Sequence, residues 1–227
     1  MRTLSRIAAV GVMTALTVAV AACSNNEAPS TQAASSSAVA PAAPSAPATT
    51  PDDGVTTQAD VFGPACSQLP QGDAPGSLSD MGAQPVATAA SSNPLLTTLT
   101  KAIGAVPGLA DTLNAQQGVT VFAPADPAFQ AVQQQLGDTA FNALLADPNK
   151  LGALLQYHVV GTRYDAESLV AAGRTTQLAG GTLKIGGTPT APTITDGKGE
   201  TATVLCGNIP TKNATVFVID KVLMPAS

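Results

Sequence analysis

Aromatic side chains and charge are what this chain has least of. It holds no tryptophan, two tyrosines and five phenylalanines in 227 residues, and only 11% of its residues are charged. A core without large rings must be built from small aliphatics, so its stability comes from total area and close packing. There is one histidine, His158. With separate His ligands absent and both cysteines of the globular part read as a pair, no plausible metal set is left, and neither a metal nor any other cofactor is expected. No G-x-S-x-G elbow, P-loop or dinucleotide fingerprint occurs. Acidic residues are scattered and nominate no carboxylate pair for glycoside hydrolysis. A lysine-based site is the one catalytic arrangement left open, and the expectation is a protein that is not an enzyme. The net charge of −5 argues against nucleic acid and against electrostatic attachment to anionic lipid.

No apolar run reaches the roughly 20 residues that a membrane span requires. The run from Ile7 to Ala22 follows Arg2 and Arg6 and ends in Val20-Ala21-Ala22-Cys23. A basic start, a short hydrophobic middle and a small-residue cleavage site make a secretory signal peptide. A cysteine directly after Val-Ala-Ala looks like a bacterial lipobox, where the thiol receives a diacylglycerol and the leader is cut before it. The expectation is a leader over residues 1–22 and a mature chain that begins at a lipidated Cys23, outside the cytoplasm. A plain signal peptide with a cysteine by chance is the alternative. One acyl chain anchors marginally and two anchor stably. Loss of Arg2 and Arg6 with the leader takes the net charge from −5 to −7.

Cys66 and Cys206 remain. An even pair in an oxidising compartment reads as a disulfide, with two buried free thiols as the alternative. The bridge would close a loop of about 140 residues and contribute on the order of 4–5 kcal/mol through chain entropy.

Residues 23–54 are rich in Ala, Ser, Pro and Thr and lack the periodicity of a core, so they are expected to form a disordered tether. Extended, it would reach on the order of 90 Å. Thr49 and Thr50 beside Pro51 match the composition of an O-glycosylated stalk as well as that of an unmodified spacer. Residues 55–227 are long enough for one domain. Asn93 with Pro94 predicts a helix start, with Leu95, Leu99 and Ile103 on one face. Helices are also predicted for Leu109 to Asn114, around Ala128, Phe129 and Val132 with Asp126 as cap and Pro127 at the first position, after a cap at Asp138, after Asp147-Pro148, and from Asp165 to Gly173. Strands are predicted at Val119 to Phe122, at Leu183 to Ile185 up to Gly186-Gly187, at Thr203 to Leu205 and at Thr215 to Val222. Gly180-Gly181 and Asp196-Gly197 mark hairpin turns. Helices first and strands later give an α+β domain with an antiparallel component.

Three segments carry a resemblance. Thr120 to Phe129 reads T-V-F-A-P-A-D-P-A-F, Leu154 to Gly161 reads L-L-Q-Y-H-V-V-G, and Asn213 to Pro225 reads N-A-T-V-F-V-I-D-K-V-L-M-P. In this order and spacing they resemble the fasciclin domain. Ala125-Asp126, and Phe217 where a histidine is common, are departures from its usual motifs. The resemblance covers about residues 85–225 and implies a single fasciclin-like domain, its helices packed on an antiparallel β-sheet or wedge. With the lipobox and the cysteine pair, the chain is similar to mycobacterial fasciclin-type surface lipoprotein antigens. In some animal members a Tyr-His pair is linked to integrin-mediated adhesion, which puts a candidate binding pair at Tyr157 and His158. Their aliphatic flanks, Leu154, Leu155, Val159 and Val160, favour a buried, structural role instead.

The functional expectation is a non-enzymatic, envelope-anchored surface lipoprotein that mediates adhesion or contacts with host or matrix proteins. Its localisation would be extracytoplasmic, at the cell membrane and surface, a fraction released into the medium being compatible with it. A monomer is expected. The alternative is a module that holds a lipid or glycan of the envelope in an apolar crevice.

Overall fold

The structure is a computed structural model and describes residues 53–226. The leader, Cys23 and nearly all of the tether lie outside the described residues. The chain enters through two 3₁₀ turns, Gln58–Asp60 and Pro64–Gln68. Four helices follow: α1 Leu78–Ala83, α2 Val86–Ser92, α3 Thr97–Ala105 and α4 Leu109–Ala115. Strand β1, Val119–Pro124, leads into α5 Asp126–Leu136, α6 Asp138–Leu145 and α7 Pro148–Tyr157. Then come β2 Val159–Val160, α8 Ala166–Ala172, β3 Arg174–Thr176, β4 Thr182–Thr188, β5 Ala191–Thr195, β6 Thr201–Pro210 and β7 Ala214–Ile219. The α+β class and the late run of strands follow the sequence reading.

Local chemistry sets several of the helix ends. The Asp147 carboxylate accepts from the N–H groups of Asn149 and Lys150 ahead of Pro148. Asp165 accepts from Ser168 N–H at 2.8 Å, and Gly173 closes α8 in the left-handed conformation at φ +63°. Three predicted helix starts and one strand end differ. Asn93 closes α2 and turns the chain by accepting from Leu95 N–H at 2.9 Å, so α3 begins at Thr97 rather than Pro94. Its cap arrives from a distance: Asp126 accepts from Thr97 Oγ1 at 2.6 Å and from Thr98 N–H at 2.7 Å. Asp126 therefore caps α3 and not its own helix, and Asp138 is the first residue of α6 behind a Gly137 cap. Gly186 and Gly187 continue β4 instead of ending it, pairing with Thr193 and Pro192. A Cβ on Gly187 would lie 2.3 Å from the Ala191 carbonyl oxygen, so only glycine fits this close approach.

The sheet runs β2-β1-β7-β6-β5-β4-β3. Every neighbouring pair is antiparallel except β1 with β7, which are parallel from Val119–Ala214 to Pro124–Ile219. The two ends of the sheet meet. Val160 of β2 bridges Gln177, just beyond β3, and Leu178 N–H donates to the Val159 carbonyl at 2.8 Å. The sheet thus curls toward closure, which leaves little free edge. Its inner face packs Leu183, Ile194, Ile219 and the ring pair Phe122–Phe217, 6.0 Å between centroids, against Leu169 of α8. Its outer face carries Val119, Ala123, Val216 and Val218 beneath Leu99, Ile103, Leu151 and Leu155 of the helices. Strand β7 is therefore buried on both faces, as its run of β-branched and aromatic residues requires. The core also reaches back before residue 85, to Leu69 and Met81.

Candidate functional site

Helix α7 buries Leu151, Leu154 and Leu155 and delivers Tyr157 and His158 into the interior, each only 3% exposed. Both ring nitrogens of His158 have partners. Nδ1 lies 2.8 Å from the Leu154 carbonyl oxygen, and Nε2 lies 2.9 Å from Leu223 N–H. A carbonyl can only accept and an amide can only donate, so the ring is neutral with its proton on Nδ1. Burial pushes the imidazole down to about 4, against the Leu154 bond and the Asp196 charge that favour protonation. The Tyr157 hydroxyl accepts from Gly197 N–H at 3.1 Å. Burial, with Asp196 nearby, pushes its phenol up against that bond.

These two residues hold the C-terminal segment. His158 takes Leu223 N–H, and Asp196 Oδ2 takes Met224 N–H at 2.8 Å. The other oxygen of Asp196 accepts from Lys198 and Glu200 N–H, both at 2.9 Å, which forms the β5–β6 turn. The sequence marks Asp196 as a turn residue only; nothing local signals its second task of gripping residue 224.

Outside this clamp the surface opens into an apolar groove of about 730 Å³. Leu136 and Ala140, Leu144 of α6, Ala153 of α7 and Met224 form its walls, with Tyr157 at its base. Lys150 and Lys198 are the charged residues of its lining. It adjoins a second pocket of about 590 Å³, which shares Tyr157, Gly180 and Pro225 and adds Thr182, Lys184, Thr195 and Asp196. Both are open to solvent. Among the described residues no three His, Cys, Asp or Glu side chains come together as a metal site.

Cys66 and Cys206 are joined by a disulfide across 140 residues of sequence. The joint is reinforced. Phe62 and Gly207 exchange backbone hydrogen bonds at 3.3 and 2.8 Å. Asn208, at φ +57°, donates to the Asp60 carbonyl and accepts from Ala166 N–H. Register shifts in β6 on either side of Cys206 turn this stretch toward the incoming segment.

A profile of the fasciclin domain matches residues 94–225. The chain belongs to the fasciclin domain family. The cell surface glycolipoprotein MPB83 of Mycobacterium bovis is 35% identical over 227 residues, covering 96% of this chain and 95% of that one. The immunogenic protein MPT70 of Mycobacterium tuberculosis is 36% identical over 179 residues, 73% of this chain and 83% of its own. The solved structure of a FAS1 domain pair from the insect cell adhesion molecule Fasciclin I matches with a TM-score of 0.55 at 17% identity. It covers 64% of this chain and 52% of that one, so this chain spans about half of the pair, and the likeness is one of fold.

The motif residues of this fasciclin domain serve mainly as scaffold. Asn213, 4% exposed, accepts from Val86 N–H at 2.8 Å and donates to the carbonyls of Leu113 and Gln116, tying the start of α2 to the end of α4. Thr120 donates to the Thr162 carbonyl and accepts from Tyr164 N–H, both at 2.8 Å. Arg163 was missed by the sequence reading; it spans to Thr215 Oγ1 and to the carbonyls of Thr211 and Ala214 at 3.0–3.1 Å.

Proposed function

We propose that this protein is a non-enzymatic, lipid-anchored fasciclin module displayed at the cell surface, where it mediates adhesion or contacts with host or matrix proteins. One observation carries the reading. The 35% identity to a cell surface glycolipoprotein runs over 96% of the chain, and so extends beyond the domain into the leader and tether. That is the region that holds Val20-Ala21-Ala22-Cys23. The domain itself offers interaction surface rather than chemistry. Its one imidazole is locked between two backbone groups, and the Asp126 and Asp196 carboxylates are spent on capping and clamping. Burial of Tyr157 and His158 argues that adhesion, if it uses this region, uses the surface around the pair and not the two rings.

The test is membrane partition and display in the native host. Cys23→Ala should move the protein from the detergent phase to the medium. Protease treatment of intact cells should release the domain from about Val55 onward. Envelope retention of the Cys23→Ala protein would remove the lipid anchor from this reading, and full protease resistance on intact cells would remove surface display.

A further inference from the structure

We infer that the groove between α6, α7 and the C-terminal segment binds a free long-chain fatty acid, its chain against the alanine-lined wall and its carboxylate at Lys150 and Lys198. The inference goes beyond surface display and does not depend on it.

Four features support it. The groove, at about 730 Å³, falls in the range of small-molecule sites. Its helical walls are made by Ala140, Ala143 and Ala153, which are exposed positions on α6 and α7. Alanine there costs the fold nothing, yet it keeps open a trough that longer side chains would fill. The charge is selective. The chain carries 15 acidic and 10 basic residues, but the charged groups of this lining are two lysines and no acid. Lys198 is in no ion pair among the described residues, and Lys150 has only an exposed contact of 3.4 Å with Asp147. An exposed pair of this kind is worth little and yields readily to an anion. The adjoining pocket settles the number of chains. Its added walls include the polar Thr182, Lys184, Thr195 and Asp196, so a second acyl chain would meet a more polar lining there than in the groove. The Asp196 charge faces that pocket, but both its oxygens are held by backbone N–H groups. A two-chain phospholipid is therefore a poor fit, whereas one chain with a small anionic head is a good one.

The experiment uses the full-length chain with Cys23→Ala, exported and purified without detergent, and palmitate labelled with ¹³C at its carboxyl. Carbon NMR should show a distinct bound carboxylate, and a titration should saturate at one equivalent with micromolar affinity. Ala153→Trp, which fills the trough from an exposed position, should weaken binding at least tenfold with the melting temperature held. The double variant Lys150→Glu/Lys198→Glu should do the same and abolish the bound carboxylate signal. Dodecyltrimethylammonium should compete poorly. Failure to bind palmitate would overturn the inference. So would binding indifferent to both variants, equal capture of the cationic amphiphile, or binding to phosphatidylglycerol vesicles without uptake of free palmitate.

Discussion

At the scale of single residues, His158 shows how a candidate binding group becomes a structural one. Its ring is buried neutral between Leu154 and Leu223, with its pKa pushed down to about 4. In the unfolded chain the ring titrates near 6.5. Between these values the unfolded state binds a proton that the fold refuses, so stability falls as pH drops from about 6.5 to 4. The loss amounts to at most ~1.4 kcal/mol per pH unit, on the order of 3 kcal/mol in all. Below about 4 the folded ring protonates too and this contribution levels off. Denaturant melts of the natural protein and of His158→Gln across pH 4–8 should show a steeper decline for the natural chain, although the variant is the weaker of the two at pH 7. Parallel curves would mean that the ring is accessible and free to charge. The sequence pointed to burial through the aliphatic neighbours of the pair, but the partners are backbone groups 4 and 65 residues away. No local pattern encodes the farther one.

At the scale of elements, the helix starts separate what is local from what is not. Asp147-Pro148 and Asp165 were legible because each carboxylate caps amides two or three residues ahead. Asp126 followed the same pattern in sequence, but its carboxylate serves α3, 28 and 29 residues earlier in the chain. Burial works against its ionisation, yet the hydrogen bonds from Thr97 and Thr98 together hold its carboxyl below the usual carboxylate range. Asp126→Ala should therefore expose the first turn of α3 to exchange and leave α5 protected, with a global cost of about 1 kcal/mol. Amide hydrogen exchange at Thr97 to Thr100 and at Phe129 to Val132 reads this directly; faster exchange in α5 would show that the cap is local after all. The curl of the sheet, like the groove, was not legible. Both depend on which distant segments meet: Val160 with Gln177, and α6 with the C-terminal segment.

At the scale of the whole molecule, the cysteine pair was readable from parity and compartment, and it proves to be part of a joint that includes Phe62, Asn208 and Asp60. Reduction should lower stability by about 4–5 kcal/mol on the chain-entropy account. At roughly 2–4 °C per kcal/mol for a domain of this size, the melting temperature should fall by about 10–20 °C. Calorimetry with and without reductant checks this, and a shift under about 2 °C would show that the hydrogen bonds alone hold the joint. The bridge also determines how the domain bears tension. A pull on the incoming segment peels the contacts of Gly54, Asp60 and Phe62 in turn, then reaches Cys66 and crosses through sulfur to Cys206. Against a load at the C-terminal end, the segment after β7 that His158 and Asp196 hold is pulled first, and the covalent path then runs through β7 and the second half of β6. The residues between the two cysteines, which include helices α1 to α8 and the walls of the groove apart from its C-terminal rim, are bypassed by that covalent path.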